Sequence, residues 1–286
     1  MSSLKGYGSA LAPEVEGLQY HLRLKISDVS RYVLLPGDPD RVVRIASYWD
    51  EYKEVARHRE FVTYIGKYKG VKISATSTGI GAPSTAIAIE ELLRVGADTF
   101  VRVGTTAALR NDIAIGELVI SLAAMRLEET SRAYAPIEYP AFANYEVVLA
   151  LIEASESLNI NYHLGITAST DSFYVGQQRP GFRNYLPPWS RDLIKNLSML
   201  NVINFDMETS LIFVLANIYG VRSGSICSVI ANRITDEFKP EAGIDKAIKV
   251  ANEAVKILNE WDNLKMKYGK RYLTPSMLLK HWHIHR

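Results

Sequence analysis

Short apolar runs alternate with segments of helical periodicity along most of the chain. Tyr32–Leu35 and Val71–Thr76 are predicted strands, and turn-forming residues follow each of them, at 36–39 and 78–81. Further strands are predicted at residues 100–103, 118–122, 164–168 and 224–231. Helices are predicted at residues 83–93, 145–158, 211–219 and 244–261, where apolar residues recur every three or four positions. This alternation is typical of an α/β fold.

No linker, internal repeat or low-complexity segment divides the chain. Residues 182–200 break the pattern, because they carry Pro187, Pro188 and Trp189. We predict an irregular excursion or lid there. At 286 residues and 48% hydrophobic, the chain has enough apolar material for one large α/β domain.

Charge and cysteine content narrow the function classes. The net charge is only +2 and no long basic run occurs, so nucleic acid is not the expected partner. Cys227 is the single cysteine, which excludes an intramolecular disulfide and fits a reducing compartment. Residues 1–25 lack the pattern of a secretion signal, and no apolar stretch is long enough to cross a bilayer. We therefore expect a cytoplasmic protein without a membrane partner.

Two segments after predicted strands are candidates for an anion site. Gly37 offers a bare backbone amide, and Arg41 lies within one helical turn of it. A solvated Pro/Gly turn is the alternative. Arg102 lies within a strand that should be buried, where a guanidinium needs an anion or a carboxylate partner. Thr105 follows as a further donor, and a structural salt bridge is the alternative for Arg102.

The glycines at residues 79 and 81 do not complete a dinucleotide-binding fingerprint. The third glycine of that pattern is replaced by Ser84, and no acidic residue is evident at the end of a second strand about twenty positions on. We predict no organic cofactor.

Residues 173–179, with the sequence FYVGQQR, could recognise a pyrimidine base. The carboxamide of Gln177 pairs a donor with an acceptor, as one side of the uracil edge requires, and Arg179 could donate to the remaining carbonyl. Both contacts would strengthen as the departing base becomes anionic. Phe173 could pack on the sugar or the base. A polar loop with one core aromatic residue is the alternative.

Residues 204–208 end a predicted strand and open a helix. A carboxylate there could accept hydrogen bonds from both ribose hydroxyls and offset positive charge on the sugar. Helix capping by Asp206 and an ordinary first-turn Glu208 are the alternatives. Arg233 follows a predicted strand, where its guanidinium could belong to the same site. A surface charge is the alternative.

Three histidines alternate with other residues at the C-terminus, at positions 281, 283 and 285. On an extended strand they would share one face and could hold a metal. A frayed tail is the favoured alternative.

Taken together, seven short segments resemble the nucleoside phosphorylase family, specifically its uridine phosphorylase branch; they are residues 36–41, 58–61, 77–81, 102–106, 173–179, 206–208 and 230–233. The resemblance implies a single α/β domain over residues 20–262, with a central mixed, partly barrel-like β-sheet flanked by helices. Residues 1–19 and 263–286 would be extensions. The implied activity is reversible cleavage of uridine by phosphate, giving uracil and α-D-ribose 1-phosphate.

The resemblance also assigns residues to roles. Phosphate would be bound by Gly37, Arg41, Arg102, Thr105 and a neighbouring subunit's Arg59. The base would meet Phe173, Gln177, Arg179 and Arg233, and the ribose would meet Thr105, Met207, Glu208 and a neighbour's His21. The implied catalytic groups are Arg102, Gln177, Arg179 and Glu208, and a possible K⁺ would lie between subunits at Glu60, Ile80 and Ser84. Such sites close across a dimer interface, often within a hexamer.

Two positions depart from the family pattern. Ala107 stands where glycine is usual, and Asp206 stands where glutamate usually begins the ribose motif. The alternatives are a purine nucleoside phosphorylase, a nucleoside hydrolase and a non-catalytic nucleoside-binding protein on the same fold. The purine branches use a carboxylate near the last strand, and residues 230–233 contain none.

Overall fold

The computed structural model of the protein describes residues 9–284, with side chains up to residue 279. Its strands are β1 (Glu14–Val15), β2 (Leu18–Gln19), β3 (Tyr32–Leu35), β4 (Glu51–His58), β5 (Phe61–Tyr68), β6 (Val71–Thr76), β7 (Thr99–Ala108), β8 (Leu118–Leu127), β9 (Tyr162–Thr170), β10 (Val202–Asp206), β11 (Arg222–Asn232) and β12 (Glu237–Phe238). The helices are α1 (Pro39–Ala46), α2 (Ala82–Arg94), α3 (Tyr145–Ser157), α4 (Leu193–Met199), α5 (Thr209–Ile218), α6 (Ile244–Lys267) and α7 (Pro275–Ile284).

Ten strands form one mixed sheet, in the order β12-β11-β8-β9-β10-β7-β3-β6-β5-β4. A further pairing of β11 with β7 closes a ring of β7, β10, β9, β8 and β11, and the remaining strands extend from it. β7 runs parallel to β3 and β11 but antiparallel to β10. The predicted mixed, partly barrel-like α/β domain is confirmed.

The helices cover the sheet in the way that their sequences dictate. α5 is apolar on nearly all sides, and its residues 209–216 are all buried. α6 is amphipathic and packs its apolar stripe on α3, β7 and β11. No helix within residues 9–284 combines the length and the apolar character needed to span a bilayer.

Every strand and helix predicted above is present; the strands at 32–35 and 71–76 have the predicted ends, and the ends of the others are shifted. The third predicted strand does not stop at residue 103, because its sequence continues as buried β7 to Ala108. Helix α1 and the hairpin of β4 and β5 were not predicted; the outer strand β4 is mostly polar and exposed. Residues 182–200 contain two short 3₁₀ turns followed by α4.

The C-terminal histidine prediction is wrong for the part of the segment that the structure describes. Helix α7 includes residues 281 and 283, so these two histidines lie neither on an extended strand nor in a frayed tail; residue 285 lies outside the described residues. The helix forms because Leu273 and Met277 bury themselves against Leu264 at the end of α6.

A buried ion-pair network fastens the end of α6 to the barrel. Arg222 at the start of β11 donates to both carboxylate oxygens of Asp262, at 2.8 and 2.7 Å. Tyr32 donates to the same carboxylate at 2.6 Å. Lys265 and Arg222 also bind Glu146, at 2.6 and 3.1 Å between charged atoms.

The edge of β7 changes partner along its length. Its first part pairs with β3 up to Arg102, opposite Leu35, and its last part pairs with β10 from Ala107, opposite Phe205. β11 follows the whole opposite edge. Between the two partners, residues 103–106 border a crevice where β3 and β10 part. Such a switch point in a sheet is where α/β proteins place their ligands.

Candidate active site

A cavity of about 690 Å³ opens at this crevice. It is lined by twelve of the fifteen site residues that the sequence and the resemblance single out: Gly37, Arg41, Glu60, Ile80, Ser84, Arg102, Thr105, Phe173, Gln177, Arg179, Met207 and Glu208. Segments far apart in the sequence therefore meet in one place. His21, Arg59 and Arg233 are not among the residues that line it.

Two guanidinium groups lie close together in the wall of the cavity. Asp38 caps α1 by accepting from the Asp40 amide at 2.9 Å, which directs Arg41 along the first turn towards the crevice. Arg41 Nη1 lies 3.4 Å from the Val103 carbonyl oxygen. Burial lowers the pKa of Arg41, and repulsion from nearby Arg102 adds to that effect. Two adjacent guanidinium groups form a site suited to an oxyanion.

Arg102 is both paired with carboxylates and part of the cavity wall. It is only 5% exposed, its Nε donates to Asp206 Oδ2 at 2.8 Å, and its Nη2 lies 2.5 Å from Glu208 Oε2. It is thus a buried ion pair that also lines the cavity. Burial alone would lower the pKa of Arg102, but Glu208 and Asp206 outweigh that effect and raise it.

The lack of a side chain at Gly104 leaves space for the guanidinium of Arg102. A Cβ at Gly104 would lie 2.8 Å from Arg102 Nη2 and 2.7 Å from Cys227 Sγ, much closer than van der Waals contact allows. The side chain of Arg102 therefore folds back over the strand that carries it.

Glu208 is held at the mouth of α5 by a backbone donor as well as by Arg102. The Gly81 amide donates to Glu208 Oε1 at 2.6 Å. Burial raises the pKa of Glu208, and Arg102 opposes that rise. Glu208 lines the same cavity as Arg41 and Gln177, where a sugar with two adjacent hydroxyls could bind its carboxylate.

Residues 173–179 form a tight turn, the base-recognition turn, named for its predicted role. Gln177 is buried, its Nε2 donates to Thr170 Oγ1 at 3.3 Å, and its Oε1 accepts from Arg179 Nη1. Arg179 also donates to the Phe173 carbonyl at 2.8 Å and lies 4.0 Å from the centroid of the Phe173 ring. Burial, followed by repulsion from Arg233, lowers the pKa of Arg179 to about 10.

Arg233 supports this turn from behind. Its guanidinium donates to the carbonyls of Gln177 and Gln178, at 2.7 and 3.2 Å. Gln178 adopts a left-handed conformation with φ of 55°, and its Oε1 accepts from the Ile194 amide at 2.7 Å. The excursion that the sequence predicts as a lid is therefore tied to the base-recognition turn.

His21 and Arg59 lie together on a different face. His21 Nδ1 lies 2.7 Å from Glu91 Oε1. Arg59 is exposed at the turn between β4 and β5, with its guanidinium 5.9 Å from the Tyr20 ring. Neither side chain lines the cavity of its own chain.

The three residues predicted for a cation share one corner of the cavity. A Cβ at Gly79 would lie 2.9 Å from Glu60 Cγ and 3.1 Å from Ser84 Oγ. Ser84 Oγ donates to the Ile80 carbonyl at 3.3 Å. Across the described residues, no group of three or more His, Cys, Asp or Glu side chains is suited to hold a metal.

The sequence analysis missed several apolar residues of the cavity wall. Phe205, Ile230 and Phe238 line it, and Phe238 lies in the two-residue strand β12 with 68% of its surface exposed. Strand periodicity gives no signal for so short an element. Ile230 lies in segment 230–233, which carries part of the resemblance, but nothing in that segment indicates that its side chain lines the cavity.

Comparison with known proteins agrees with this architecture. Residues 31–260 match the family described as the Phosphorylase superfamily. A uridine phosphorylase of Thermococcus kodakarensis is 59% identical over 270 residues, covering 94% of this chain and 97% of the relative. One from Escherichia coli is 37% identical over 84% of this chain and 95% of the relative. A guanosine phosphorylase of Halorubrum lacusprofundi is 36% identical over 84% of this chain and 99% of its own length. With a match over most of its length and a cavity built from the segments that carry the resemblance, the chain belongs to the phosphorylase superfamily.

Proposed function

We propose that this enzyme is a pentosyltransferase that uses inorganic phosphate to cleave uridine reversibly into uracil and α-D-ribose 1-phosphate. The observation that carries the proposal is that one cavity is lined by groups suited to each part of the reacting complex. Arg41 and Arg102 suit phosphate, Glu208 suits the ribose hydroxyls, and Gln177 and Arg179 suit uracil. The uridine phosphorylases among the similar proteins support this assignment.

The geometry suits a displacement at C1′. Phosphate held by Gly37, Arg41, Arg102 and Thr105 would face the sugar, whose hydroxyls are held at Met207 and Glu208. The C1′–N1 bond breaks through a cationic, oxocarbenium-like sugar, as in other glycosyl transfers, and phosphate captures C1′. Binding both reactants in one cavity supplies much of the rate by orientation.

The base end favours uracil over a purine. Gln177 and Arg179 can donate to and accept from the uracil edge and stabilise the anion that leaves, with Phe173 beside them. In the purine branches, a carboxyl group near the last strand helps to protonate the departing purine ring. The carboxylates that line the cavity are Asp38, Glu60, Asp206 and Glu208, and none lies within residues 230–233. A guanosine phosphorylase among the similar proteins makes this distinction worth testing.

We also propose that a second copy of the chain completes the site. Arg59 is exposed, His21 is partly exposed, and both lie near the Tyr20 ring, so a neighbour could deliver Arg59 to phosphate and His21 to the 5′-hydroxyl. The oxygen atoms of Glu60, Ile80 and Ser84 suit a hard monovalent cation such as K⁺ at the same boundary. The cytoplasmic location, the hexamer and the division into extensions at 1–19 and 263–286 stay predictions.

Cleavage assays on the purified chain test the proposal. We expect uridine cleavage that requires phosphate, with inosine and guanosine cleaved much more slowly. Cleavage without phosphate would indicate a hydrolase, and uridine binding without turnover would indicate a binding protein. Arg102→Ala should abolish most phosphate use, and near-normal phosphorolysis in that variant would refute the assigned role of the guanidinium pair.

A further inference from the structure

The carboxylate of Asp206 is fully engaged by the protein itself. Ser169 Oγ donates to Oδ1 at 2.5 Å, and Thr209 donates to Oδ2 through its amide at 3.0 Å and its hydroxyl at 2.5 Å. Arg102 Nε donates to Oδ2 at 2.8 Å. The Asp206 side chain has 0% of its surface exposed. With these donors around it and no exposed surface, the carboxylate is closed to a sugar hydroxyl, although Asp206 is among the residues that line the cavity.

The donors to Asp206 come from three different elements. Ser169 is the next-to-last residue of β9, Thr209 begins α5, and Arg102 lies in β7. Ser169 Oγ in turn accepts from the Ser210 amide at 2.9 Å, which fixes that hydroxyl as a donor to Asp206. The carboxylate is therefore a fixed point in the barrel, with little freedom to follow a ligand.

The nitrogen atoms of the Arg102 guanidinium have different partners. Nε binds Asp206, and Nη2 lies beside Glu208. Within the described part of the chain, Nη1 forms no hydrogen bond. A planar guanidinium held through Nε has its rotation about the side-chain axis fixed, so the directions of both terminal nitrogens are set by the anchor.

We propose that Asp206 is a positioning residue for phosphate: it anchors Arg102 through Nε and thereby aims the terminal nitrogens at the anion, and it does not bind the ribose. This inference rests on the proposed function. The short side chain matters, because an additional methylene group would have to fit into a space that Ser169, Thr209 and Arg102 already fill.

The test is Asp206→Asn, which keeps the shape of the side chain and removes its charge. The matched control is Asp262→Asn, which removes the charge from another buried carboxylate paired with an arginine, Arg222, away from the cavity. Phosphate binding to each protein is measured by isothermal titration calorimetry, together with KM for phosphate, KM for uridine and the melting temperature.

We expect Asp206→Asn to raise both Kd and KM for phosphate by roughly tenfold or more, because a charge-assisted anchor is lost. KM for uridine should change by much less, and the ratio of kcat/KM for uridine and 2′-deoxyuridine should stay as in the unmodified enzyme. Asp262→Asn should lower the melting temperature and leave phosphate binding unchanged.

Two results would overturn the inference. One is unchanged phosphate binding in Asp206→Asn. The other is an altered uridine to 2′-deoxyuridine ratio with phosphate unaffected, which would show that Asp206 holds the ribose. If Asp206→Asn does not fold, Ser169→Ala removes one donor to the carboxylate and should weaken phosphate binding a few-fold; unchanged binding there counts against the anchor. Binding of phosphate is measured directly, so an unmodified protein that binds phosphate but does not cleave uridine would refute only the proposed function.

Discussion

Gly104 lies at the centre of β7, and a methyl group there would press on the phosphate end of the cavity. A Cβ would lie 2.7 Å from Cys227 Sγ, 2.8 Å from Arg102 Nη2 and 2.9 Å from Arg102 Cζ. Non-bonded heavy atoms pack at about 3.5–4.0 Å, so each contact is too short by roughly 0.6 Å or more. β7 cannot retreat, because its residues on both sides of Gly104 are paired with β11.

The guanidinium of Arg102 must therefore move in Gly104→Ala. Overpacking of a core costs about 1–3 kcal/mol of unfolding free energy. Displacing a catalytic group by about 1 Å can cost about 100-fold in rate. We expect a lower melting temperature and a fall of roughly 10- to 100-fold in kcat/KM for phosphate, measured in a steady-state assay with uridine saturating.

Two further variants separate the fold from the site. Gly224→Ala also overpacks a barrel strand, because its Cβ would clash with Val147, away from the cavity. It should lower stability without changing KM for phosphate. Gly104→Ala combined with Cys227→Ala relieves the contact with sulfur but not the contact with Arg102, so it should regain stability and not activity. Unchanged stability and kinetics in Gly104→Ala would refute the reasoning.

Two other variants test the supports of the barrel and of the base turn. Asp262→Asn should lose about 2 kcal/mol or more of unfolding free energy in urea titrations. Burial alone would raise the pKa of Asp262, but hydrogen bonds from Arg222 and Tyr32 lower it to about 2, so the advantage of the unmodified protein should be full above pH about 4 and fade towards pH 2. A pH-independent difference would contradict this account. Arg233→Ala releases the carbonyls of Gln177 and Gln178, so KM for uridine should rise several-fold while KM for phosphate stays constant; equal changes in both would argue for general unfolding.

Sequence patterns predict the strands of the barrel well because these strands are buried and apolar. β7 and β11 are buried along almost their whole length, so their residue types are dictated by the core. The exposed strand β4 has the sequence EYKEVARH, which lacks a clear alternation of apolar and polar residues, so the pattern does not predict it. The closure of the ring depends on pairings between strands distant in sequence, and the local pattern carries no information about it.

The residues of the candidate site were likewise predictable from the sequence only in part. Arg102 stands out in the sequence because a charge in a buried strand demands a partner, yet the sequence cannot say whether that partner is a ligand or a carboxylate. The structure shows two carboxylates, Asp206 and Glu208, beside the cavity. The support of the base turn by Arg233 could not be predicted, because its acceptors are backbone carbonyls, which every residue has.

The long pairing of β7 with β11 has a consequence for how this enzyme could diversify. The groups proposed for phosphate stand on or beside this strand pair, whereas the groups proposed for the base stand on a turn braced by one arginine and one irregular segment. Insertions and exchanges in that segment would leave the barrel pairing intact. Evolution could therefore retune the choice of nucleobase while the chemistry at the sugar–phosphate end is inherited unchanged.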